Sequence, residues 1–473
     1  MVFKRHGFIR EPVLETSVLF ISVMKWFVIS SVVGVLVGSA AAGFLWLLQW
    51  SAASIEVLPY SFLLLPVGFF LSALLVHYLA PDSKGDDTEN VIEAIHQRSG
   101  AIKAFVVPVK LLATIITIAA GGSAGKEGPC ANIGGGIASQ LAKLFRFSEV
   151  ERKKIVICGV SAGFATVFGT PVAGALFGVE VLAVGQIQYS VMFPSFIAGI
   201  VAYQVSAAFG TTYFHHPIAF IPSFSELFFF KVVLYGAAFG IIGVIFIEVF
   251  KRITAFSERL HWWPPLKGLL GGFILMSTLF VGNQYLGLGL NHIEAMLNGT
   301  SNAAAYDPFM KILATSTTLA MGGSGGAVTP IFFIGSTSGN YLASLIGVDA
   351  STGAALGMVA LLSGCANTPI AASVMAIEMF GASLSPYAAV ACVVSFLVVG
   401  HRSIFPSQLL AMAKSASLKM DLGVPIEDIG GTTYSGHPQS ILGGGRRLII
   451  WVRRRIVVRN HKKEKHPSRP PEP

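Results

Sequence analysis

Apolar residues run unbroken over stretches long enough to cross a bilayer. Segments 26–50, 57–81 and 379–400 contain no Asp, Glu, Lys or Arg, and a spanning helix needs about 20 such residues. The chain therefore reads as an all-α polytopic membrane protein. The first run follows Lys4, Arg5 and Arg10 and has no small-residue cleavage pattern. That marks a retained span with a cytoplasmic N-terminus rather than a removed leader. Elsewhere two apolar helices end in glycine clusters and restart at once, at 126–145 and 327–345. These interruptions predict helices broken at membrane depth, where irregular backbone is tolerated only if it is buried or lines a polar cavity.

The breaks recur because the chain repeats itself. Residues 110–129 (KLLATIITIAAGGSAGKEGP) and 311–330 (KILATSTTLAMGGSGGAVTP) agree at eleven of twenty positions, offset by 201. Residues 170–180 (TPVAGALFGVE) match 368–378 (TPIAASVMAIE), offset by 198. Two ordered matches at nearly one offset indicate a duplication, spanning about 80–210 and 285–405. Loop charge orients the copies. Segment 82–103 carries Lys84, Arg98 and Lys103, and 143–154 and 251–267 also contain Lys or Arg, so all three read as cytoplasmic. Segment 285–306 contains neither and reads as external. The second copy then enters the membrane from the opposite side, giving inverted repeats about a pseudo-two-fold axis in the membrane plane. A parallel duplication with one span miscounted is the alternative.

Composition agrees with a membrane protein. The chain is 53% hydrophobic and 12% charged, with a mean hydropathy of +0.69, whereas soluble proteins are about 25% charged. Fifty-one glycines in 473 residues suit helices that pack closely or break inside a bilayer. A net charge of +9 invites an acidic partner such as nucleic acid, but its position argues against one. Residues 446–473 hold ten Lys/Arg and two acids, or +8, which leaves 23 bases against 22 acids in the rest. Within that tail, apolar 448–451 and 456–458 flank Arg453, Arg454 and Arg455, a pattern suited to an anionic membrane surface. Cys130, Cys158, Cys365 and Cys392 lie in apolar or glycine-rich segments without metal-ligand spacing and read as small core residues. No cofactor or metal is expected.

The candidate chemistry sits at the breaks. A helix N-terminus presents free N–H groups and the positive end of its dipole, both of which attract anions. Two inverted copies aim two such ends at one central region, so an anion pathway follows without a fixed positive side chain. Glu127 is the most informative side chain, because a carboxylate buried at membrane depth is costly and functional by default. Ionised, it takes an anion's place; protonated, it leaves. It is thereby both gate and proton carrier, against the simpler reading of a structural N-terminal carboxylate. Glu180 and Glu378 occupy equivalent places in the two copies, which favours a shared packing or capping role, and Lys110 and Lys311 follow the same logic. A nucleotide loop is excluded, since Gly121–Lys126 is one residue short of the phosphate-loop spacing and Glu127 stands where Ser or Thr is needed. An intramembrane enzyme lacks a second acid, a metal-ligand histidine cluster or a Ser–His constellation; His215 and His216 sit in a polar loop.

GKEGP at 125–129, GGAVTP at 325–330 and TPVAGALFGVE at 170–180 resemble the signature segments of the CLC family of chloride channels and chloride/proton exchangers, over roughly residues 20–415. The resemblance implies an inverted-repeat homodimer of broken helices with one pore per subunit. It implies a cytoplasmic segment at 1–24, a transport domain at 25–415, and a linker with a basic cytoplasmic tail at 416–473. The expected location is the cell (inner) membrane, with both termini cytoplasmic. By the same resemblance Glu127 matches the external gating glutamate. The amides of Gly125, Lys126 and Gly128 match the external anion site, and those of Ala327 and Val328 part of the central one. Three positions depart from the family pattern. Asp86 stands where the family has its central serine, either capping its own helix in a capping box with Glu89 or weakening central anion occupancy. Phe405 falls near the central tyrosine and lacks the hydroxyl. Val181 occupies the internal proton-transfer glutamate's place, as in the channel branch.

Chloride conduction gated by Glu127, channel-like or weakly proton-coupled, is therefore the first expectation. Chloride/proton antiport follows, and fluoride export is a third reading, placed lower because GKEGP is the chloride-type form. The tail is too short for paired nucleotide-sensing CBS domains, so adenine-nucleotide regulation is not expected.

Overall fold

The computed structural model describes residues 10–434 apart from 214, 219–224 and 432; the basic tail at 446–473 lies outside the described residues. Sixteen α-helices are present among these residues, in two sets of eight. The first set is α1 (Arg10–Glu56), α2 (Leu64–Leu79), α3 (Asp87–Gln97), α4 (Val106–Ala119), α5 (Glu127–Leu144), α6 (Glu149–Phe168), α7 (Pro171–Glu180) and α8 (Tyr189–Ala208). The second repeats the order as α9 (Glu226–Arg259), α10 (Pro264–Met276), α11 (Leu290–Leu297), α12 (Asp307–Ala320), α13 (Val328–Ile346), α14 (Ala350–Ala366), α15 (Pro369–Phe380) and α16 (Ser385–Val399). The repetition takes in α1–α2 and α9–α10, ahead of the segments whose sequences match. The apolar run at 26–50 is the inner part of the long α1. Among the described residues, five helical segments are long and apolar enough to cross a membrane: Leu14–Glu56, Ser61–Leu79, Tyr189–Ala208, Glu226–Arg259 and Ala382–Val399.

Local sequence sets where helices start and stop. Ser148 accepts from Glu151 N while Glu151 returns to Ser148 N, a capping box that starts α6, and Gly169 ends that helix in the left-handed region. Thr-Pro opens both α7 and α15, with proline at a first-turn position that needs no N–H. Small residues let α5 meet α6 and α13 meet α14 at backbone distance. A Cβ on Gly134 would strike the carbonyl of Gly159, and one on Gly335 that of Gly357. All four cysteines are buried and free, as core residues should be.

Counterpart packs against counterpart, α2 on α10 and α7 on α15, so the pseudo-two-fold axis passes between them. Reciprocal hydrogen bonds mark it. Thr318 Oγ1 accepts from Ser123 N (3.1 Å), and Thr117 Oγ1 accepts from Ser324 N (3.0 Å). The hydroxyl pairs Ser123–Thr315 (2.9 Å) and Thr114–Ser324 (3.3 Å) obey the same exchange. Glu378 accepts from Val172 N (3.1 Å) and Ala173 N (2.7 Å), while Glu180 accepts from Ile370 N (3.1 Å) and Ala371 N (2.7 Å). Each glutamate thus ends its own helix and caps the start of the counterpart, which is the shared capping role expected from their equivalent positions.

Buried mass concentrates along this axis. Every residue from Glu127 to Gly136 in α5 and from Val328 to Asn340 in α13 is buried, whereas α1 exposes Leu19, Phe27 and Trp46 and α9 exposes Phe230 and Ile241. Apolar exposure on long outer helices is what a lipid-facing surface requires.

Candidate anion site at three helix N-termini

The chain leading into α13 holds three helix starts together. A parallel bridge joins Asp86 to Gly325, with Asp87 N donating to Gly325 O at 3.1 Å. An antiparallel bridge joins Gly125 to Gly326 through bonds of 2.6 and 2.9 Å. The N-termini of α3, α5 and α13 therefore converge. Gly128 allows this: a Cβ there would lie 2.9 Å from Asp87 Cβ and 3.1 Å from Gly326 Cα. Neither Lys126 before α5 nor Ala327 before α13 supplies a side-chain cap, so these two starts keep amides to offer. Ala327 and Val328 are fully buried, and Lys126 is half-buried.

Glu127 fills the space between them. It is 2% exposed, and its carboxylate leaves α5 to cap α13. Oε2 accepts from Thr329 N (3.2 Å) and Oε1 from the Thr329 hydroxyl. An anionic group thus occupies the N-terminal end of α13, where a free anion would be held. Gly125 makes room for it, because a Cβ at that position would collide with Glu127 Oε2 and stand 3.0 Å from Thr329 N.

α3 begins differently. Asp86 Oδ1 accepts from Thr88 N (2.8 Å) and Glu89 N (3.1 Å), so it caps its own helix. The capping box with Glu89 does not form. Glu89 turns away and accepts from Ser407 N at 2.8 Å, tying α3 to the segment after α16. Asp86 Oδ2 and Glu89 Oε2 are buried without a partner. Next to the cap, Asp87 pairs with Lys110 at 2.9 Å, both fully buried, and accepts from Asn132 and Thr114. The buried lysine is thereby neutralised, which leaves backbone and dipole as the attraction for an anion. Its counterpart Lys311 donates to the carbonyls of Tyr285 (3.1 Å) and Gly287 (2.9 Å) and, among the described residues, pairs with no carboxylate. Both lysines brace the chain next to a short helix, α3 or α11, since Lys110 also donates to Gly85 O at 3.1 Å.

The departed positions fall close in the chain to this frame. Phe405 is fully buried, its N–H donating to Ser403 Oγ, two residues before the Ser407 that Glu89 holds. Val181 follows α7, is fully buried, and accepts from Gln408 Nε2 at 2.6 Å through its carbonyl. Residues 183–184 pair in parallel with 409–410 and fix this return. Sequence reasoning missed Thr329 and Asp87, and gave Glu89 a local capping role in place of its bond to Ser407 N. For Thr329 the signal was present: the repeat aligns it with Gly128, so a hydroxyl appears in one copy only.

A family model described as voltage gated chloride channel matches residues 67–400. The chloride/fluoride channel protein of Pseudomonas syringae pv. tomato is 37% identical, over 83% of this chain and 88% of the relative. The H(+)/Cl(−) exchange transporter ClcA of Yersinia pestis is 27% identical, over 80% and 84%. Among solved structures, that of a CLC-type fluoride/proton antiporter superposes with a TM-score of 0.76 at 29% identity, covering 81% of this chain and 98% of that one. With its paired sets of eight helices and its three converging N-termini, the chain belongs to the voltage gated chloride channel family, a family of anion transporters and not of enzymes.

Proposed function

We propose that this protein exchanges a small monovalent halide for protons, with Glu127 as gate and proton acceptor. The observation that carries the reading is the Glu127 carboxylate on the amide and hydroxyl of Thr329. An anion and an ionised Glu127 compete for one helix N-terminus, so anion entry favours the protonated, displaced side chain. The sequence favours conduction on the strength of Val181; likeness to proteins named as proton exchangers moves the balance to exchange. Protons then reach Glu127 by a route other than the glutamate that Val181 replaces.

The relative at 37% identity is named for both chloride and fluoride, and fluoride is the first anion to measure. A site short of serine and tyrosine hydroxyls relies on backbone N–H donors, and fluoride is the strongest hydrogen-bond acceptor among the halides. In this reading each subunit of a homodimer carries its own pathway in the cell membrane, with both termini cytoplasmic.

Paired anion and proton flux in liposomes tests the exchange. A fluoride or chloride gradient is expected to drive uphill proton movement, and Glu127→Gln to abolish it. Substantial anion flux by the native protein with no pH change would make it a channel. The Asp86 carboxylate next to the α13 approach repels a centrally bound anion. Asp86→Ser is therefore expected to raise halide affinity about five- to thirtyfold, from a repulsion of roughly 1–2 kcal/mol at an effective dielectric of 20 and longer range. Unchanged affinity in calorimetric titration leaves Asp86 as a cap only.

A further inference from the structure

Two cavities meet on the face formed by segments 82–103 and 143–154, which the positive-inside pattern assigns to the cytoplasm. The first, of about 860 Å³, is lined by Arg98, Lys103, Lys143, Arg146 and Arg152 with Asp82 as the only carboxylate. The second, of about 760 Å³, is an apolar groove between α1, α4 and α5, lined by Leu36, Val107, Ile137, Leu141 and Leu144. Ala104, Gln140 and Lys143 line both, so the basic chamber adjoins the groove.

The charges in the chamber are not all neutralised by the protein. Lys103 lies 2.8 Å from Asp82 and holds that carboxyl below the usual carboxylate range. Arg152 donates to Ser99 O at 2.8 Å and approaches Glu149 at 3.6 Å. Among the described residues, Arg98, Lys143 and Arg146 have no ion pair. Cations do favour helix C-termini, which accounts for Lys143 in the last turn of α5 and Arg98 closing α3. Arg146 is different: its φ of 53° lies in the left-handed region after a helix end, where glycine or asparagine is the ordinary choice. A cationic side chain is kept there at a conformational cost.

We propose that the joined cavities bind one anionic phospholipid of the cytoplasmic leaflet, its phosphate among Arg98, Lys143 and Arg146 and an acyl chain in the groove. A basic chamber alone would suit any phosphate, and an apolar groove alone any lipid. Their continuity through Ala104 and Lys143 selects a molecule with both parts, and basic pockets between membrane helices on this side suit such headgroups. Asn132 also lines the chamber and donates to Asp87 at 3.3 Å. The lipid thus lies one side chain away from the start of α3.

Native mass spectrometry of the purified full-length protein, titrated with phosphatidylglycerol, phosphatidylcholine of the same chains, or glycerol 3-phosphate, tests this. Phosphatidylglycerol is expected to bind at least tenfold more tightly than either comparison ligand. Lys143→Gln with Arg146→Gln should weaken it about 25-fold, at roughly fivefold per basic residue. Both positions are exposed, so folding should be unaffected. Ala104→Trp, at an exposed turn position, keeps every cation but plugs the junction, and should cost at least tenfold. Equal binding of the two phospholipids, or no effect of the paired charge variant, overturns the proposal. Glycerol 3-phosphate binding as tightly as phosphatidylglycerol makes this a free-phosphate site and overturns it, as does an Ala104→Trp protein that binds the lipid normally.

Discussion

Replacing Lys110 by methionine is expected to destabilise the purified protein by about 3–5 kcal/mol, because it leaves the Asp87 carboxylate buried and unpaired. Lys110 and Asp87 are 1% and 0% exposed, so water cannot take over from the missing ammonium. Asn132 and Thr114 remain as hydrogen-bond partners, but neither carries charge. Adding Asp87→Asn to Lys110→Met should restore most of the loss, since a neutral amide needs no counter-charge. The other repeat supplies the control. Lys311 is just as buried, but its partners are two carbonyls and the Phe333 ring, 4.9 Å from its ammonium, so Lys311→Met removes a buried cation without orphaning an anion. Its cost should be far smaller. Thermal unfolding of the four proteins in one detergent makes the comparison, and equal losses for the two lysine variants would show that Asp87 is not the reason for Lys110.

Gly125→Ala is the second large effect. The added methyl needs the space that the Glu127 carboxylate occupies beside Thr329, and the backbone there cannot retreat because Gly125 is bridged to Gly326 in both directions. Glu127 is the mobile partner and should be driven off α13. Hydrogen bonds to a charged group contribute about 1.5–3 kcal/mol, so the closed arrangement should lose roughly tenfold to a hundredfold in population. Halide flux should rise accordingly, and proton coupling should fall because the side chain no longer competes with the anion. A variant that carries less halide while keeping its coupling would mean that the methyl blocks the pathway and Glu127 stays put.

The hydropathy runs and the repeat made the class of fold legible, because a bilayer leaves few solutions for backbone polar groups and a duplication preserves its own motifs. The candidate site was legible where an unusual residue stands in the wrong solvent. Glu127 stands out because an acid in an apolar, glycine-broken segment has no packing explanation. Glu180 and Glu378 could be assigned a shared role from their offset, but not which amides they hold. Such partners, about 190–206 residues away, follow from three-dimensional symmetry. Asp87 was hidden for another reason: in the sequence KGDDTEN two adjacent acids look alike, and only the fold aims one at Lys110 and the other at its own helix. Glu89 was read as local because three-residue spacing after a cap is the usual sign of a box. The contact with Ser407 wins because it satisfies a backbone amide 318 residues further along the chain.

The crossed glutamate caps have a consequence for biosynthesis. At about 5–20 residues per second, the ribosome takes roughly 10–40 s to travel from Val172 to Glu378. During that time the amides of Val172 and Ala173 at the start of α7 lie in an inserted half-protein without their eventual partner. The first half therefore waits, incomplete, for the second, since α7 and α15 each take this cap from the other half. Two separately made halves would each lack what the other carries.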